Sequence, residues 1–306
     1  MSAQRQAYWL AISSFLIWGF FSVPLRFLQG YEAGAILWFR VLFAFFILIA
    51  LIFQFKQAAL SDLRHTFALL SFRRRIRFVG LTLLGGLLLI SNWLIFIYVV
   101  NAVNIKTASF SYLICPVMTA ILGFIILKET MTTWQWIAVG ICVLSCVLLG
   151  IESVAELGYS LVIGLTYAFY LISQRKNQQL DKLLVLCLQL TLAMLVLVPL
   201  YDKFVTSTPT TPYFYAMVLL ISVVFTVLPL YLNLLALKQL SSASLGILMY
   251  LNPTVNFILA VAFFGEPVSF IQAIGYGLIF VALVLFNWQT LFTKSATTPM
   301  PAKKVA

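Results

Sequence analysis

The sequence predicts an all-α membrane protein of ten transmembrane helices, arranged as two inverted five-helix repeats. Three observations predict it. Apolar runs of about twenty residues recur along the chain, basic residues alternate in density between them, and two stretches repeat at fixed offsets. Of 306 residues, 63% are hydrophobic and 9% charged, against about 45–50% and about 25% in soluble domains. A water-soluble fold could not hide that much apolar surface, so the expected solvent is lipid.

Runs bounded by charge, Gly, Pro or polar clusters give spans at 8–28, 34–55, 78–100, 107–127 and 133–150, then 155–173, 183–201, 213–235, 242–264 and 269–290. The first run is long enough to cross a bilayer and has no small-residue cleavage pattern, so it is expected to stay as span one rather than leave as a signal peptide. The four cysteines, Cys115, Cys142, Cys146 and Cys187, all fall inside apolar runs without CxxC spacing or a histidine partner. They are packing residues on this reading, and no metal site or cofactor is implied.

The net charge of +11 raises the question of nucleic acid, but no basic helix face and no aromatic-basic interleaving of the kind that stacks bases is present. The charges instead test the topology. With the N-terminus cytoplasmic, the inner side collects 15 of the 19 Lys and Arg residues, with Arg73, Arg74, Arg75 and Arg77 as the main anchor. The outer side receives Arg26, Lys106 and Lys203, and Arg40 lies within a span. That bias supports ten spans with both termini inside.

Sliding the chain by 149 residues pairs Trp18 with Tyr167, Arg26 with Arg175, Glu32 with Asp181 and Arg40 with Gln189. A shift of 137 pairs Pro116 with Pro253, Glu129 with Glu266, Gln135 with Gln272 and Gly140 with Gly277. Residues 1–151 therefore read as a first five-helix repeat, 152–290 as a second and 291–306 as a disordered cytoplasmic tail. An odd number of spans per repeat inserts the second upside down relative to the first, the arrangement expected of a protein that opens alternately to both sides.

Arg40 is the sharpest candidate for function, because an ionised group inside a span costs about 2.5–3.5 kcal/mol at the bilayer centre. It could face a cavity or snorkel to the outer interface. Pro116 and Pro253, in spans four and nine, each free a backbone carbonyl, which lipid tolerates only where protein or water meets it. Pro229 with Tyr231 marks a further interruption. Trp18 and Asn92 lie too deep for an interfacial belt; Trp93, Tyr98 and Tyr112 share their helices with candidate residues, and Asn252 and Asn256 face one way, four residues apart. These residues form the expected substrate cavity, with Pro116, Pro229 and Pro253 as helix breaks. Glu129 and Glu266, just before the next helix, suit structural capping of backbone N–H groups. No Asp, Glu or His falls clearly inside any span, so a buried acid relay is not expected.

The stretch Ser91-Asn92-Trp93-Leu94-Ile95-Phe96-Ile97-Tyr98, followed by Asn101-Ala102 and the segment from Ala108 to Pro116, closely resembles the RarD group of the EamA-type drug/metabolite transporter superfamily. Gly265-Glu266 and the preceding Ala260 to Phe264 are similar to that group's second repeat. The resemblance implies a central cavity between the repeats and export of small metabolites or drugs across a bacterial inner membrane. Lys128 stands where the second repeat has Gly265, and Cys115 stands where an Asn often precedes the proline. The reading is thus an alternating-access exporter of small organic solutes, with lipid and a small-molecule substrate as partners. The alternatives are a non-transporting receptor or assembly subunit, or a membrane-embedded enzyme. The enzyme lacks support: the sole histidine, His65, is in a loop, and no HExxH or GxSxG occurs.

Overall fold

A computed structural model describes residues 3–55, 67, 70–103, 105–149, 154–178, 181–263, 265 and 267–292, with backbone only at 101, 105–109, 154–156 and 289–292. The tail expected at 291–306 lies outside them beyond Phe292. Among the described residues the chain is helical throughout. Nine segments are long and apolar enough to cross a membrane. A tenth, Thr133–Leu149, has 17 residues and reaches roughly 25 Å, at the short end of what spans a bilayer. The protein is a multi-pass membrane protein.

Several spans are broken where the sequence reads as continuous. Span one is Ala3–Gly19 followed by the short helix Ser22–Arg26. Span two is Ala33–Phe55, span three Phe72–Ala102, span four Ile105–Leu127 and span five Thr133–Leu149. Span six is Val154–Lys176, and span seven is Lys182–Leu197. Span eight runs Pro212–Ser222, passes through a π turn at Val223–Val227 and continues as Leu228–Ala236. Span nine divides into Ser242–Leu248 and Leu251–Ala262 ahead of Pro253. Span ten is Phe270–Phe292. The break in span one has no proline at its centre and was not expected.

Packing obeys the repeat. Span four packs on span six as span nine packs on span one; span three on six as eight on one; span three on seven as eight on two. The pairs two with seven, four with nine and five with ten map onto themselves. That is the contact pattern of a pseudo-two-fold axis between inverted repeats. Trp18 and Tyr167, repeat equivalents, touch each other edge-on at 6.5 Å between ring centroids and so lie close to that axis. Where spans four and nine cross, a Cβ on Gly246 would stand 2.9 Å from Thr119 Cβ, so the crossing depends on the missing side chain.

Local signals recur in both halves. Thr132 and Gln135 form a reciprocal capping box at the start of span five, with bonds of 2.9 and 3.4 Å. Ser269 and Gln272 do the same at the start of span ten, at 3.0 and 3.2 Å. This is the physical reason for the repeated glutamine: its side chain closes the first turn against the preceding Thr or Ser. Lys128 and Gly265 are also equivalent in backbone, with φ of 58° and 66°. Glycine holds that left-handed conformation freely, whereas an L side chain is strained there by about 1 kcal/mol. Lys128→Gly is therefore expected to stabilise the protein by up to about 1 kcal/mol, measured by thermal unfolding in detergent. A loss of stability would mean that the lysine side chain itself contributes at this corner.

Candidate functional site

The two ends of the bundle are clasped by different chemistry. At the end carrying most of the basic residues, the Glu129 carboxylate accepts from the backbone N–H groups of Ser242 at 2.8 Å and Ala243 at 3.1 Å. It thus caps the first half of span nine, in the other repeat, rather than the span that follows it in sequence. Nearby, the Arg175 guanidinium donates to the Leu237 carbonyl at 2.6 Å and that of Lys238 at 3.1 Å. The Lys182 ammonium donates to the Asn177 carbonyl at 2.6 Å, and the Asn177 amide donates to Thr82 at 2.9 Å. At the opposite end, Glu32 accepts from both the hydroxyl and the N–H of Thr206. Those bonds, the hydroxyl's first, hold its carboxyl below the usual carboxylate range.

Between these clasps the two halves of the bundle differ. Toward the basic end, all seven residues of Ser242–Leu248 are buried, as are Lys182 to Cys187 and Tyr170 to Gln174. That half is dry. Toward the Glu32 end, of the twelve residues in Leu251–Ala262 only Pro253 is buried. Trp18, Arg40, Trp93 and Tyr112 are half-buried within their spans, and the Arg40 Nε is itself buried.

Arg40 lies at the centre of this less closely packed half. Its guanidinium carbon stands 4.9 Å from the centroid of the Trp93 ring and 5.5 Å from that of Phe21. Tyr112 is close enough to interact electrostatically and packs on Phe96 at 5.5 Å. Phe21 packs in turn on Phe225 at 5.7 Å. Three spans of the first repeat and one of the second thus supply aromatic rings around a cation carried by span two.

Pro229 explains how span eight joins this wall. A proline cannot donate to the carbonyl four residues earlier, which here belongs to Phe225. The Trp18 indole N–H donates to that carbonyl at 3.0 Å, and the Ser14 hydroxyl donates to the carbonyl of Pro229 itself at 2.8 Å. The proline therefore frees the Phe225 acceptor that span one fills, fixing the Trp18 ring beside Tyr167 and Phe15. At Pro253, the Met249 carbonyl is met instead by the Asn252 N–H at 3.0 Å. Pro116 is buried at the crossing with Gly246.

The remaining candidate residues make other contacts. Asn92 is 3% exposed, and its amide donates to the Ile163 carbonyl at 2.8 Å and to Thr166 at 3.1 Å. It ties span three to span six and points away from its neighbour Trp93, as adjacent helical positions do. Tyr98 is 55% exposed at the end of span three, beside Tyr159. Tyr231 packs on the main apolar core. Asn256 donates to the Asn252 side chain at 2.8 Å, so this half-exposed pair is partnered internally. Glu266 lies outside the described residues. Phe21, Phe96 and Phe225 escaped notice in the sequence; the position of Phe225, four residues before Pro229, was the one available signal.

These features define a class: an inverted-repeat, ten-helix membrane transporter. The EamA-like transporter family profile matches residues 5–151 and again 156–288. Protein RarD of Escherichia coli (strain K12) is 27% identical over 303 residues, covering 96% of this chain and 98% of the relative. An uncharacterized transporter of Vibrio cholerae serotype O1 is 31% identical over 287 residues, covering 91% and 90%. A solved crystal structure at 15% identity superposes with a TM-score of 0.72 over 94% of this chain and 99% of the other, a likeness of fold alone. The chain belongs to the EamA-like transporter family and is of RarD type.

Proposed function

We propose that the protein moves small organic solutes across a bacterial inner membrane by alternating access, with export as its working direction. The observation that carries this reading is the contrast between the two halves of the bundle. One half is packed dry; the other presents a half-buried aromatic and cationic surface at the junction of the repeats. A permease needs that asymmetry in each of its end states, and the pseudo-two-fold packing supplies its mirror image at little structural cost. With both termini cytoplasmic, as the distribution of Lys and Arg favours, this conformer is outward-facing. Arg40, Trp18, Trp93 and Tyr112 line the solute path, while Glu129, Arg175 and Lys182 hold the cytoplasmic side shut.

Counterflow in proteoliposomes tests the reading. Vesicles preloaded with a solute from a metabolite and drug panel are expected to accumulate labelled solute of the same kind transiently, without chemical change, and protein-free vesicles are not. Binding without flux for every solute that stabilises the protein would indicate a receptor or assembly subunit. Terminal tags accessible from opposite sides of sealed vesicles would remove the topology.

A further inference from the structure

We propose that Arg40 is the recognition site for an organic anion, a carboxylate or sulfonate carried on a flat apolar body. This rests on the permease reading and names the substrate class of the same cavity.

A guanidinium offers five N–H donors in a fixed planar fork. Among the described residues the Arg40 guanidinium makes no hydrogen bond or ion pair, and its Nε is buried without a partner. The carboxylates whose side chains are described are otherwise engaged or remote. Glu32 is held by Thr206, Glu129 by Ser242 and Ala243, and Asp181 by the N–H groups of Leu183 and Leu184, while Asp202 is exposed in a loop-end helix.

What Arg40 does have is two aromatic faces, Trp93 and Phe21, within the distance at which a cation and a ring attract. Such contacts retain a cation in a low-dielectric place, yet they leave the in-plane N–H donors free. A guanidinium held by ring faces with its donors unpaired is the group that takes a carboxylate or sulfonate by charge-assisted bonds. The walls select the rest of the ligand: Trp18, Trp93, Phe96 and Tyr112 offer ring faces for a flat apolar body. The described wall holds no acid to receive an ammonium, so the site favours a net anion over an amino acid zwitterion or an organic cation.

The test uses matched triads on one body: phenylacetate, phenylacetamide and phenethylammonium, with indolyl and short alkyl counterparts. Each is titrated against the full-length protein by calorimetry and thermal shift. In at least one triad the acid is expected to bind roughly tenfold or more tighter than its amide, with the amine weakest. Arg40→Gln is expected to reduce that ratio to about twofold or less, and Arg40→Lys, which keeps the charge but loses the fork, to leave an intermediate ratio. If no acid in any triad binds tighter than its amide in the wild-type protein, the proposal is overturned, whatever the variants do.

Nanodiscs of phosphatidylcholine with and without phosphatidylglycerol separate a free anion from a lipid headgroup. Loss of the acid preference only where phosphatidylglycerol is present would assign Arg40 to lipid and overturn the solute proposal. Counterflow of amides or amines without any preference for acids would remove the anion site and leave the permease standing. An acid preference in binding without counterflow of any member would remove the permease and leave the anion site.

Discussion

Glu129→Ala is expected to lower stability by about 2 kcal/mol. The carboxylate supplies both acceptors for the first N–H groups of Ser242–Leu248, at 2.8 and 3.1 Å. A helix that begins inside a packed half of a membrane protein has no water to satisfy those donors. Negative charge at a helix N-terminus adds a favourable dipole term. Glu129→Gln keeps one acceptor oxygen and loses the charge, and should cost about half as much.

Position 123 supplies the decisive comparison. A Cβ there would stand 2.7 Å from a Glu129 carboxylate oxygen. Gly123→Ala should therefore destabilise the wild-type protein by displacing the clasp, yet be nearly neutral once Glu129 is already alanine. Unfolding by heat or by denaturing detergent measures all four combinations. Equal costs of Gly123→Ala in both backgrounds would show that the carboxylate is not what the glycine accommodates.

Glu129 also shows where sequence reading stops. Its place before a helix made a capping role legible, but the helix it caps is 113 residues away, in the other repeat. Nothing local distinguishes those two targets. The ten spans, the inversion and the basic side were legible because they depend on run length, parity and charge, which are properties of the chain itself. The repeat of Gln135 in Gln272 was legible, but its pairing with Thr132 and Ser269 came from the structure. The π turn was not legible, since it arises from how span eight accommodates Pro229 against span one. Asn92 and Arg40 mark the same boundary. Sequence shows that a polar group at that depth must be met by something other than lipid. Only the packing shows that Asn92 is met by span six, while Arg40 is met by rings and left with its donors unused.

The membrane potential is expected to drive net flux through this protein, by about tenfold in the equilibrium gradient for each 60 mV. An anion crossing alone carries one negative charge, and one charge is worth about 2.3 kcal/mol per 100 mV, while about 1.4 kcal/mol is a tenfold ratio. An inside-negative potential thus expels the anion without any coupled proton, which suits a bundle whose described carboxylates all sit at its ends. A weak acid would confuse the measurement, because its protonated form leaks through lipid in response to pH. Benzenesulfonate is the better probe, being charged at every accessible pH. In proteoliposomes, a valinomycin-set potassium potential should move benzenesulfonate outward when the interior is negative and inward when the sign is reversed. An imposed pH gradient with the potential clamped at zero should leave the distribution unchanged within about twofold. Arg40→Gln should slow the flux in both directions without altering its final distribution, because the residue sets affinity while the potential sets the equilibrium. Uphill movement of the sulfonate driven by pH alone would require a titrating group in the transport path and would overturn this account of the energetics.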